Sequence, residues 1–183
     1  MPTTADETMT APRRPDARFL FSHPAHAIAL GFGAGLSPRA PGTVGTLWAW
    51  IGFLALQHWL SPAQLAGVVV LAVPLGWWAC TVAARHLGID DPGCIVWDEV
   101  AAFWLVLLLV MPAPWWEQLL AFVLFRFFDA VKPGPVGWAD RLLHRIDPQR
   151  ERFGWAGTGF GILFDDFVAA GCTLLLIAFA RAW

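Results

Sequence analysis

Tyrosine is absent from this 183-residue chain, and charge is scarce. Asp, Glu, Lys and Arg together make up 14%, against about 25% in ordinary soluble domains. With 57% hydrophobic residues and a mean hydropathy of +0.56, that shortage argues against a fully water-facing surface and for lipid contact. Basic charge is lacking as well: the net charge is −2. No broad basic face is available to track a phosphate backbone, so nucleic acid is not expected as a partner. The three cysteines, Cys80, Cys94 and Cys172, form no Cys-x-x-Cys pair, so neither a disulfide framework nor a zinc site is indicated. Alternating apolar–polar runs are missing, so strands are not expected. Residues 1–18 carry Arg13, Arg14 and Arg18 but no apolar stretch after a basic start, which excludes a secretory signal. A polar, disordered cytoplasmic tail over 1–20 and a single helical domain over 21–183 are expected.

Long apolar runs are abundant, the last with two aspartates near its start. Val44–Leu60, Gln64–Ala84, Val100–Pro112, Ala113–Phe128 and Ile162–Ala182 are each hydrophobic all round rather than striped, which fits spanning or deeply buried helices. The expected fold is therefore all-α: a small polytopic membrane protein with four or five apolar helices. The third and fourth segments, broken by Met111-Pro-Ala-Pro114, are short enough to form a re-entrant pair. The 12 tryptophans, including Trp77-Trp78 and Trp115-Trp116, suit interfacial belts, and bulky core filling accounts for them equally well. Lys and Arg fall almost entirely in the tail before residue 40, the 85–97 link and the 126–161 loop, with Arg181 the exception. The positive-inside rule puts those links in the cytoplasm. Every polar motif lies on that side, so an active site at the cytoplasmic face is expected.

Four motifs carry the chemistry. Gly31–Thr46 is rich in glycine and proline and leads into an apolar helix; its backbone donors, with Gly42, Thr43 and Thr46, suit an anion. A turn that caps the helix through Thr43 explains the same residues. Asp98-Glu99 follows a Pro92-Gly93 turn and opens an uncharged run, so it is either a helix-dipole cap or a pair of ligands. Arg126 and Asp129 share a helix face, Lys132 precedes a Pro-Gly-Pro break, and Asp140 follows in the loop; Arg and Lys are phosphate-binding groups. An i,i+3 salt bridge accounts for Arg126 and Asp129 but leaves Lys132 without a role. Finally, Gly157-Thr-Gly-Phe-Gly161 leads to Asp165-Asp166 near the start of the last segment. Carboxylates beside apolar runs are costly in lipid, and hard cations such as Mg²⁺ use oxygen ligands of this kind. A metal-dependent membrane enzyme is the first hypothesis.

The motifs together resemble the phosphatidylglycerophosphatase A family, Mg²⁺-dependent lipid phosphatases of bacterial inner membranes, from about His23 to Gly171. The likeness rests on Gly31–Gly35 with Ser37-Pro38 and Ala40–Thr46, on Ile95-Val-Trp-Asp-Glu99, on Phe125-Arg126 with Asp129 and Lys132-Pro133-x-Pro135, and on Gly159-x-Gly161-Ile162 before Asp165-Asp166. It implies hydrolysis of phosphatidylglycerophosphate to phosphatidylglycerol and inorganic phosphate. Asp98, Glu99, Asp129, Asp165 and Asp166 would hold one or two Mg²⁺. Arg126 and Lys132, with Gly42, Thr43 and Thr46, would bind the phosphoryl oxygens. The catalytic carboxylates would be Asp98, Glu99 and Asp165, with Glu99 as general base. No Asp-x-Asp-x-Thr or Cys-x₅-Arg occurs, which favours direct attack by water. The chain departs from the family pattern in a longer 142–156 loop carrying Arg145, Arg150 and Arg152, which suit anionic headgroups, and in Leu163, Ala102 and Gly134.

Three rivals use the same features. A CDP-alcohol phosphatidyltransferase also clusters aspartates at an inner interface, but its Asp-Gly-x₂-Ala-Arg signature is missing. An ion carrier or channel would use intramembrane acids as a cation path. A structural membrane subunit explains the hydrophobicity but not four polar motifs on one side.

Overall fold

The computed structural model describes residues 15–143 and 154–183. Residues 1–14, most of the expected tail, and 144–153, with Arg145, Arg150 and Arg152, lie outside them. The described residues contain helices and no strand, so the chain is all-α. Two short helices, α1 (Ala17–Ser22) and α2 (Pro24–Ala29), lead through a 3₁₀ segment, Gly31–Leu36, into α3 (Pro41–Trp59) and α4 (Pro62–Leu87). Then come α5 (Trp97–Val110), α6 (Trp115–Val131), α7 (Pro135–Leu143) and α8 (Gly154–Ala182).

All five apolar segments are helices, and their ends follow local chemistry. Ser61 caps α4 and exchanges hydrogen bonds with Gln64, a capping box. Pro41 and Pro62 occupy first turns, where the missing amide costs nothing. Leu60-Ser61 and residues 111–114 are short links, so α3 with α4 and α5 with α6 run antiparallel. Helix α5 is the centre of the bundle, buried at ten of its fourteen positions. It packs against α3, α4, α6 and α8, while α8 also packs against α4, α6 and α7. Helices α4 and α8 are long and apolar enough to cross a membrane by length and composition.

Three expectations need correction. Helical structure is present before residue 21: Asp16 caps α1, and Leu20 is buried. Helix α3 is not capped through Thr43; Ala40 stands at its N-cap in a left-handed conformation, with no side-chain bond. The last helix begins at Gly154, not Ile162. Asp165 and Asp166 therefore lie in its interior, about 17 Å from its start at 1.5 Å per residue.

Arg181, the stray cation of the last segment, pairs with Glu117 in the first turn of α6. It also donates to the Val110 carbonyl at the end of α5, 2.6 Å away. One side chain thus fastens three helix ends opposite the polar motifs.

The α1–α2 hairpin is tied to α4 by histidines. The His26 ring is buried and stacked on Phe19, centroids 3.9 Å apart. Its Nδ1 lies 3.0 Å from the Phe19 carbonyl and its Nε2 2.8 Å from Nδ1 of His86. A carbonyl only accepts, so His26 carries its proton on Nδ1 and accepts at Nε2 from His86. Burial pulls the His26 pKa below its usual value; the Phe19 carbonyl opposes this, and His86 and His23 add to it. Folded His26 stays neutral where the unfolded chain takes a proton. Its contribution is full above about pH 6.5 and is lost as pH falls below that. The apparent unfolding midpoint in detergent should drop between about pH 7.5 and 5.5, and drop less in His26→Gln; equal pH slopes would refute this linkage.

Candidate active site

Position at the head of α5 is set by backbone packing. The Val96 amide donates to the Ala29 carbonyl, 2.9 Å away. A Cβ on Gly35 would lie 1.9 Å from the Cys94 carbonyl oxygen, and one on Gly45 would lie 2.6 Å from the Val96 side chain. Much of the glycine-rich stretch is therefore spent on pressing the 3₁₀ segment and α3 against residues 94–96. Its own amides are also engaged: those of Gly33 and Gly35 both donate to Leu30. Most of the loop serves packing, and its end at Gly42–Thr46 reaches the acidic residues.

Clamped in this way, α5 presents Asp98 and Glu99 in its first turn, where the helix dipole favours negative charge. Asp166, inside α8, meets them. Each of the three offers an oxygen within 4.8 Å of the others, and all three are buried. Among the described residues, Asp98 Oδ1, Glu99 Oε2 and Asp166 Oδ2 have no hydrogen-bond partner. Buried carboxylate oxygens are rarely left without partners unless an ion or catalysis uses them. A cluster of hard oxygen donors of this kind fits a divalent cation such as Mg²⁺ or Ca²⁺ and lacks the nitrogen or sulfur that softer metals prefer.

Two cations flank the cluster. Arg126 pairs with Asp129 one turn along α6 and reaches Glu99 Oε1 at 3.4 Å and Thr46 Oγ1 at 3.4 Å. Its Nε is buried without a partner. The Thr46 hydroxyl donates back to the Gly42 carbonyl, 2.9 Å away. Lys132 donates to Asp140 and, at 2.6 Å, to Asp165 Oδ2. Burial alone would lower the Lys132 pKa, but these two carboxylates outweigh it and hold the ammonium above its usual value. Among the described residues, six carboxylates thus gather around two cations, an imbalance that a bound divalent ion would reduce.

The structure brings Asp98, Glu99 and Asp166 into one group. Asp129 and Asp165, read as ligands with them, lie outside that group and are engaged in ion pairs. Gly42 and Thr46 touch the site through Glu99 and Arg126, whereas Thr43 is exposed at the start of α3. Asp140 has no role assigned from sequence, because the Pro133-Gly-Pro135 break removes any helical register between it and Lys132. Thr81 and Thr158 also escaped notice. Their hydroxyls are buried without partners near the crossing of α4 and α8, where a Cβ on Gly159 would fall 2.0 Å from Thr81 Oγ1. No sequence signal marks them.

The phosphatidylglycerophosphatase A family model matches residues 27–181. Phosphatidylglycerophosphatase A of Escherichia coli (strain K12) is 38% identical over 161 residues, covering 86% of this chain and 86% of that protein. The protein of the same name from Haemophilus influenzae is 34% identical over 161 residues, covering 88% and 91%. A putative phosphatidylinositol-3-phosphatase of Bacteroides thetaiotaomicron is 38% identical over 160 residues, covering 84% and 91%. No solved structure matches the chain.

Gly42 supplies a sharp test of the geometry. A Cβ there would lie 2.2 Å from Glu99 Oε1 and 2.9 Å from Arg126 Nη2. Gly42→Ala must displace one of them, and phosphate release should fall roughly 100-fold, the scale of losing one oriented electrostatic contact. Gly67→Ala, where a Cβ meets nothing within 4 Å, should leave activity unchanged. Equal activity in the two variants would show that the Glu99–Arg126 contact is not needed.

Proposed function

Because this chain belongs to the phosphatidylglycerophosphatase A family, we infer that the cluster of Asp98, Glu99 and Asp166, flanked by Arg126 and Lys132, is where it hydrolyses phosphatidylglycerophosphate. The protein is a phosphomonoesterase of phospholipid metabolism. The observation that carries the placement is the set of unpartnered carboxylate oxygens buried beside two cations.

In this reading Asp98, Glu99 and Asp166 hold Mg²⁺, with Asp129 and Asp165 close by to orient Arg126 and Lys132. When bound, the ion supplies Lewis-acid neutralisation of the phosphomonoester charge. Arg126 offers its guanidinium, including the unpartnered Nε, to phosphoryl oxygens, and Lys132 adds a point charge. The amides of Gly42 and Thr43 precede the first intrahelical bond of α3, from the Val44 amide to Ala40, and are further donors at a positive helix end. Glu99 is the general base for an attacking water. The lipid is reached from a multi-pass position in the bacterial inner membrane, with the site facing the cytoplasm. Two features support that orientation: the described cations Arg18, Arg39, Arg85, Lys132 and Arg141 all lie in segments at the site's end of the bundle, and Arg181 at the other end is neutralised by Glu117.

Purified full-length protein should release phosphate from phosphatidylglycerophosphate micelles with Mg²⁺ and stop in EDTA. Asp98→Asn and Asp166→Asn should be inactive and should lose the thermal stabilisation that the ion gives the wild type. In EDTA both variants should unfold at a higher temperature than the wild type, since one repelling charge has gone. Full activity in either variant would remove that residue from the site. Phosphatidylinositol 3-phosphate belongs in the same assay, because a relative of similar identity carries that substrate in its name; faster turnover of it would reassign the headgroup.

A further inference from the structure

We propose that Asp140 is a positioning residue for this reaction, fixing the Lys132 ammonium so that one of its N–H groups stays directed at the substrate phosphoryl group. The proposal rests on the reading of Lys132 as a phosphate ligand.

Lys132 ends α6 in a left-handed conformation, φ 49° and ψ 49°, which non-glycine residues seldom adopt. Its amide still closes the helix on Phe128, 2.9 Å away. The chain then turns through Pro133 and Gly134 into α7, which folds back against it. Gly137 sits so close that a Cβ would lie 2.4 Å from the Lys132 carbonyl oxygen. The buried side chains of Val136 and Ala139 seat α7, and the next residue, Asp140, bonds the Lys132 ammonium.

An ammonium has three N–H groups. Asp140 on α7 takes one and Asp165 on α8 takes another, which leaves a third whose direction is fixed by the first two. With Asp165 alone, a long flexible stem would settle the charge on the acidic cluster as a simple counter-ion. A second carboxylate on a separate helix opposes that collapse and orders the ammonium before substrate arrives. Preorganised donors of this kind strengthen binding by removing the entropy cost of ordering them. In this role Asp140 works through Lys132 and touches no substrate.

The test is a double-mutant cycle on full-length protein in phosphatidylglycerophosphate micelles with Mg²⁺. Asp140→Asn should lower kcat/KM roughly 10- to 100-fold, mainly through KM, as expected for losing one charge-assisted hydrogen bond. The inhibition constant of inorganic phosphate should rise by a similar factor, and Asp140→Glu should recover part of the loss. In a Lys132→Met background, the loss from Asp140→Asn should shrink to a small fraction of its size in the wild type. Gly137→Ala, which keeps every charge but pushes α7 away from Lys132, gives an independent arm and should also weaken phosphate inhibition. A full further loss in the Lys132→Met background, or unchanged phosphate inhibition in Asp140→Asn or Gly137→Ala, would overturn the proposal. Wild type that releases no phosphate would instead defeat the functional reading on which it rests.

Discussion

Mutual repulsion of three buried carboxylates is the constraint that shapes the rest of the bundle. Asp98, Glu99 and Asp166 lie within one ion's reach of one another, with oxygens that nothing among the described residues satisfies. Such a group is costly in a low-dielectric interior, so the surrounding structure has to force it together. Clamping of residues 94–96 by the 3₁₀ segment and α3 fixes one side. The close crossing of α4 and α8 at Thr81 and Gly159 fixes the other. Arg126 and Lys132 then supply partial neutralisation without filling the cluster. Stability is given up locally and recovered in the apolar seams, a common arrangement where function needs strained electrostatics.

Helix lengths set the depth of this group. Helix α5 has 14 residues, about 21 Å at 1.5 Å per residue, which is short of a hydrocarbon core of about 30 Å. Helix α8 has 29 residues and runs well past the level of Asp165. The acidic residues are therefore recessed between longer neighbours. Recession keeps the carboxylates out of bulk water, which strengthens every charge interaction with a phosphoryl group. It also leaves them near enough to the helix ends for α3 to contribute Gly42 and α6 to contribute Arg126 and Lys132.

Much of this was legible in the chain itself. Apolar runs announced the five main helices, because nothing else in the composition competes with a helix there. Acidic and basic motifs on alternate links announced one shared face. What the sequence hid was three-dimensional pairing. Nothing in the spacing says that Asp166 joins Asp98 and Glu99 while its neighbour Asp165 turns to Lys132; adjacent helical residues point about 100° apart, and packing alone decides which faces inward. The glycines of residues 31–45 were misleading for a related reason. A glycine needed for close packing and one needed for anion binding look identical in sequence, and only the Val96 and Cys94 contacts separate them. The start of α8 was hidden because Gly157, Gly159 and Gly161 suggest a loop, yet small residues in a tight helix crossing are equally at home.

The Arg181–Glu117 pair has a consequence for how the chain enters the bilayer. In the orientation proposed above, the end of the bundle that crosses to the far side carries one cation and one anion locked together. A transmembrane voltage does work of about 2.3 kcal/mol per charge per 100 mV, and on a neutral pair that work cancels. An unpaired arginine at that place would resist translocation against the potential and weaken the directional signal of the basic links. Pairing makes the exported end electrically silent, so the topological information in the remaining cations is left uncontradicted.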